Sequence, residues 1–229
     1  MIPPQIIYED EGLIAVNKAS GISVGGERWD GDAGRLDKIL EQFLAERGGA
    51  GVPEKLYRVH RIDKETSGVV VFAKNAAAHR ELSSAFESRS VQKIYTAVVH
   101  GRPAWPGGGI SCKLPLLPDG NKRHLTIVDK YRGKPSETRF SLILSAGNYA
   151  VIEARPATGR THQIRVHLAA LGHPIVCDQL YGKNNRSGNE KGVRLSSFKR
   201  NWRGDALEEK PLLSRLGLHA LTLILPRRG

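Results

Sequence analysis

The stretch "RVHRIDKETSGVVVFAKN" sets His60, Arg61 and Asp63 immediately ahead of a strongly apolar run. A cation two residues from a carboxylate lowers the carboxyl pKa and keeps it charged. An ionised Asp can serve as nucleophile or general base. The same pattern, taken alone, also describes a structural ion pair in a hydrogen-bonded turn. A second stretch, "RPATGRTHQIRVHLAALGHPIVCDQLYG", carries Arg155, Arg160 and Arg165 across a Gly-containing turn and the helix predicted after it. Such a turn is a natural anion site. Arg165 stands between Ile164 and Val166 and therefore calls for a carboxylate partner, for which Asp63 is a candidate. In "KIYTAVVHG", Tyr95 points away from Ile94 and Thr96 if the segment is a strand. It is either a core residue with a satisfied hydroxyl or a general acid or base.

Composition narrows the chemistry. The 229 residues hold 35 Lys and Arg against 23 Asp and Glu, a net charge of +12, and the isoelectric point is near 9.9. A polyanion such as RNA is the natural partner of that surface. Lys122, Arg123, Lys130, Arg132, Lys134 and the loop from Lys183 to Arg194 are candidate phosphate contacts. Two cysteines, Cys112 and Cys177, support neither a disulfide framework nor a cysteine zinc site. His162, His167 and His173 have no zinc-site spacing, so no metal is expected. No dinucleotide fingerprint or P-loop is present, and no cofactor is expected. Without a secretory signal or a membrane-length apolar run, a cytoplasmic protein without membrane contact is expected, as a monomer.

The positioning elements follow from periodicity. Two apolar runs around "EDEG" predict a hairpin near the N-terminus. Leu36, Ile39, Leu40, Phe43 and Leu44 predict a helix stopped by Gly48 and Gly49. "GVVVFAK" predicts a strand, after which Asn75 caps a helix. "VQKIYTAVVHG" alternates as a strand, and "SLILSAGNYAVIEARP" predicts a second hairpin. Ile164, Leu168 and Leu171 predict a helix ended by Gly172, and "LGLHALTLILP" predicts a closing strand. Strands mostly follow strands, which predicts an α+β fold with a large, mixed, mostly antiparallel sheet. No linker divides the chain, so a single catalytic domain over residues 1–229 is expected.

The two long blocks resemble the RluA-type pseudouridine synthases, whose signatures are H-R-L-D-x-x-T-S-G and G-R-T-H-Q-I-R-x-H followed by D-x-x-Y-G. "IAVNKASGISV", "QKIYTAVVHG", "KYRGKPSETRF" and "LHALTL" extend the resemblance over nearly the whole chain. Ile62 replaces the usual Leu, Ala19 and Ser20 replace a common Pro and its neighbour, and Cys177 replaces a common Gly. The resemblance starts at the catalytic domain, so the N-terminal S4-type RNA-binding module of many relatives is not expected. What it implies is isomerisation of uridine to pseudouridine in structured ribosomal or transfer RNA. Asp63 would be the essential carboxylate, attacking the ribose or taking a sugar proton. Arg165 would pair with Asp63, and Tyr95 would serve in removing the C5 proton. Arg61 would replace the flipped-out base. His60, Arg160, Thr161, His162 and Lys183 would join Arg61 in binding RNA. The alternative from a different class is a basic RNA-binding protein without catalysis.

Overall fold

A computed structural model describes residues 4–26, 34–48, 55–120, 125–182, 192–199, 201–205 and 208–226. The fold is α+β, with a large, mostly antiparallel sheet. The chain divides into two compact units, Met1–Lys93 with Ala220–Gly229, and Ile94–His219. Both divisions fall inside strands, not at linkers: β5 (Gln92–His100) and β11 (Leu218–Ile224) each contain one.

In the first unit, the predicted N-terminal hairpin is β1 (Gln5–Glu9) and β2 (Leu13–Lys18), joined by a turn in which Asp10 accepts the Gly12 and Leu13 N–H groups at 2.7 Å. β2 pairs with β4 (Ser67–Ala73), and the two-residue β3 (Tyr57–Arg58) also pairs with β4. Both faces of β2 and β4 are buried. Leu13, Ala15, Val71 and Ala73 pack with Ala78 and Leu82 of α2 (Ala76–Glu87). Ile14, Val16, Val70 and Phe72 are fully buried on the alternate face, and α1 (Leu36–Arg47) buries Leu36, Leu40 and Leu44. Asn75 caps α2 as expected, its side chain accepting the Ala78 N–H at 2.9 Å. Gly68 has φ +117, and a Cβ there would collide with the Ala220 backbone carbonyl of β11.

In the second unit the strand order is β5, β10 (Tyr149–Pro156), β9 (Thr138–Ala146), β6 (Gly109–Cys112). β9 and β10 are the predicted hairpin, turning through Gly147 at φ +56. A small separate pair, β7 (Leu116–Pro118) and β8 (Thr126–Val128), lies outside that order. Helix α3 (Gln163–Ala170) sends Ile164 and Leu168 into a core with Ala97, Val99, Phe140, Ile152 and Ala154, and Leu171 packs against it. Among the described residues no helix is long and apolar enough to cross a membrane.

Candidate active site

Residues 59–66 link β3 to β4 and carry the first block. The extended stretch alternates: Ile62 is buried, Arg61 is exposed and Asp63 half-buried. His60 stacks on Phe86 with ring centroids 4.6 Å apart, and its Nε2 accepts the Val71 N–H of β4 at 2.9 Å. An accepting Nε2 requires the neutral ring. Burial, with Lys93 adding to it, pushes the His60 pKa down to about 3. His60 therefore anchors the loop to the fold. The Asp63 carbonyl accepts the Thr66 N–H at 3.0 Å and closes a turn.

That turn is gathered by a cation the sequence reading passed over. Lys18 is fully buried. Its Nζ donates to the carbonyls of Lys64 (2.8 Å), Ile22 (2.7 Å) and Ala19 (3.0 Å). Gly21 at φ +87 donates its N–H to the same Lys64 carbonyl at 2.9 Å, and Ser20 Oγ donates to the Glu65 carbonyl at 2.7 Å. The segment "NKASG" thus serves to hold the backbone of residues 63–65. A buried ammonium is tolerable only with such acceptors around it.

In the second unit the turn ahead of α3 is tied down by side chains. Thr158 Oγ1 accepts the Glu137 N–H (3.0 Å) and donates to Gln163 Oε1 (2.7 Å), which also accepts the Arg160 N–H (3.0 Å). Gln163 Nε2 donates to the Glu137 carbonyl and to Thr138 Oγ1, both at 2.9 Å. The Thr138 hydroxyl passes its proton toward His167 Nδ1 (3.0 Å), and His167 Nε2–H donates to the Leu114 carbonyl (2.9 Å). Every hydrogen in this buried chain has one consistent direction, and burial lowers the His167 pKa, which keeps the ring neutral.

Arg165 is 4% exposed, as its apolar neighbours implied. Its carboxylate partner inside the second unit is Asp178: Nε and Nη2 donate to the two carboxylate oxygens, each at 2.8 Å. Asp178 Oδ1 also accepts the N–H groups of Leu180 (2.9 Å) and Tyr181 (3.1 Å). The Arg165 guanidinium lies over the Tyr181 ring, 5.2 Å from its centroid. Tyr181 OH accepts the Thr126 N–H at 2.8 Å and meets His162 Nδ1 at 2.8 Å. His162 holds a left-handed conformation, φ 54, at the start of α3.

The sequence-predicted residues thus fall in two places. Asp63, Arg61 and His60 share one loop of the first unit. Tyr95, Arg160, Thr161, His162 and Arg165 lie in the second, where Tyr95 on β5 packs against the core that includes Ile164 of α3. Thr161 is exposed and Arg160 half-buried, and Arg160 Nε donates to the Pro135 carbonyl at 3.2 Å. Lys183, Lys122, Arg123 and most of the loop up to Arg194 lie outside the described residues. Lys18 and Asp178 were the omissions. Asp178 had a signal, since a buried Arg165 demands a carboxylate and the "DQLYG" element supplies one thirteen residues on. Among the described residues no three His, Cys, Asp or Glu side chains gather as a metal site would require.

A family model described as RNA pseudouridylate synthase matches residues 12–170. The chain is 36% identical over 187 residues to "Ribosomal large subunit pseudouridine synthase D" of Zymomonas mobilis, covering 81% of this chain and 58% of that protein. It is 42% identical over 178 residues to "Ribosomal large subunit pseudouridine synthase C" of Haemophilus ducreyi, covering 77% and 52%. The chain therefore spans a little over half the length of these relatives. Among solved structures, "Human RNA Pseudouridylate Synthase Domain Containing 1" matches with a TM-score of 0.72 at 26% identity, over 97% of this chain and 78% of that one. With the motif-bearing loop and turn built as described, and a family match over most of its length, the chain belongs to the RNA pseudouridylate synthase family.

Proposed function

We propose that this chain isomerises uridine to pseudouridine in RNA, with residues 1–229 acting as a single catalytic domain. The observation that carries the reading is the loop of residues 59–66. It presents Asp63 beside an exposed Arg61, and the anchors beneath it, His60, Ile62 and Lys18, are spent on holding the backbone. The reaction breaks the bond from C1′ to N1 and joins C1′ to C5. C5 loses a proton, N1 gains one, and nothing is oxidised. Asp63 is the carboxylate that attacks the ribose or takes a sugar proton. Arg165, itself oriented by Asp178, is the cation assigned to the Asp63 carboxylate. Tyr95 assists removal of the C5 proton. Arg61 enters the RNA stack and fills the place of the extruded uridine, which costs about a few kcal/mol to unstack. Its planar cation can stack and donate hydrogen bonds together. Exposed Thr161, with half-buried Arg160 and His162, contacts the RNA, and the ribosomal names of the relatives favour ribosomal RNA, with transfer RNA the other structured candidate.

The test is Asp63→Asn, assayed by carbodiimide mapping of pseudouridine in uridine-containing RNA. The amide keeps the size of the side chain and loses its charge and nucleophilicity. Isomerisation should disappear while RNA affinity stays within a few-fold. Turnover near wild type would remove Asp63 from the chemistry.

A further inference from the structure

Tyr131 is 98% exposed, the most open large hydrophobic side chain among the described residues. It sits at the tip of a turn that is fixed from several sides. Asp129 Oδ1 accepts the N–H groups of Tyr131 and Arg132, both at 2.9 Å, and the Asp129 carbonyl accepts the Gly133 N–H at 3.0 Å. Asp129 N–H in turn donates to the Pro115 carbonyl, and Lys134 and Leu116 exchange two backbone hydrogen bonds. A chain that only needed to turn here would gain nothing from holding an aromatic ring in water on a braced tip. Beside the ring in sequence are Lys130, Arg132 and Lys134, all exposed; Arg132 Nε meets Asp129 Oδ2 at 3.2 Å, which leaves the two lysines as excess positive charge in this stretch. Arg160 of the "GRTHQIR" turn reaches the same segment through its bond to the Pro135 carbonyl, so the tip and that motif form one basic surface of the second unit.

An aromatic face among cations matches an RNA strand: the ring stacks on a base and the cations take the flanking phosphates. A protein partner would call for a broad apolar surround, and the stretch "DKYRGKP" offers only Pro135 against its three cations. Paired bases already have both faces covered, so the base must be unpaired. We infer that Tyr131 is an RNA-binding residue that stacks on an unpaired base other than the uridine being isomerised, with Lys130, Arg132 and Lys134 on the adjoining phosphates. This rests on the proposal that the chain acts on RNA.

The experiment is fluorescence anisotropy with two fluorescein-labelled probes, a 12-nucleotide oligouridine and a 12-base-pair RNA duplex, across a salt series. Tyr131→Ala should weaken binding to the single strand by about 5- to 100-fold, the range of one lost base–aromatic stack. It should leave duplex binding within about twofold. Tyr131→Phe should bind both as wild type does, since the ring acts and the hydroxyl does not. The dependence of affinity on salt should keep its slope in Tyr131→Ala and become shallower in Arg132→Ala, because only the second removes a phosphate contact. Equal losses on strand and duplex, a shallower salt slope for Tyr131→Ala, or no loss at all would each overturn the inference. A wild-type protein that converts uridine while Tyr131→Ala binds unchanged would sink this inference alone. A wild-type protein that binds neither probe would take down the RNA reading with it.

Discussion

Around Asp63 a buried cation gathers backbone: Lys18 donates to the carbonyls of residues 19, 22 and 64, whose own side chains take no part in those bonds. Around Arg165 and the turn before α3 the fastening is side chain to side chain, through Thr158, Gln163, Thr138, His167 and Asp178. The two fastenings divide the burden differently. In the first unit Lys18 carries most of it, with Ser20 and His60 adding one side-chain bond each, and the partners of Lys18 can change identity because every residue has a carbonyl. In the second unit each member is held to one chemical type by the donor or acceptor facing it. The departures at Ala19 and Ser20 lie in the first of these segments and the one at Cys177 beside Asp178, while "GRTHQIR" matches its signature at every fixed position.

The largest test of the contrast is Asp178→Ala. It leaves the buried Arg165 charge without its bidentate partner and takes the acceptor from the N–H groups of Leu180 and Tyr181. Breaking one side of a buried ion pair costs on the order of 3–5 kcal/mol. Urea unfolding should show a loss of that size. A loss under about 1 kcal/mol would mean that Arg165 is secured elsewhere.

Lys18→Met should come next, at about 2–4 kcal/mol, since three acceptors lose a charged donor and part of the deficit is made up by water. Ala19→Ser at an exposed partner position should stay within about 0.5 kcal/mol. The pair of measurements is the sharper result. Comparable losses at Lys18 and Ala19 would show that the loop depends on its side chains after all.

Legibility in the sequence followed the range of the interaction. Both hairpins, the three helices and the Asn75 cap were readable because period and cap lie within a dozen residues. The short β3, β6, β7 and β8 were not, since two to four residues hold no period to read. Asp63 and Arg165 stood out through charge beside apolar sequence. Lys18 did not, because its burial is set by a carbonyl 46 residues away that no side-chain type reveals. His60 looked like an RNA contact for the same reason: the Val71 N–H that fixes its ring belongs to the strand after the loop.

The last effect is read by pH. His60 is neutral in the fold, with its pKa pushed from 6.5 down to about 3 by burial and Lys93. Between those values the unfolded chain binds a proton that the folded chain does not. Stability is therefore complete above about pH 6.5 and is lost as pH falls toward 3. One proton corresponds to about 1.4 kcal/mol per pH unit, so the loss between pH 7.5 and 5 is at most about 2 kcal/mol. His60→Gln keeps an acceptor for the Val71 N–H and does not titrate. It should cut the acid loss by up to that amount, leaving the slope contributed by His167 and His219, whose pKa values are also lowered by burial. Unfolding by urea at the two pH values measures the difference. Identical pH dependence in wild type and His60→Gln would show that His60 can take up its proton inside the fold, and the loop would then be held by Lys18 without help from the imidazole.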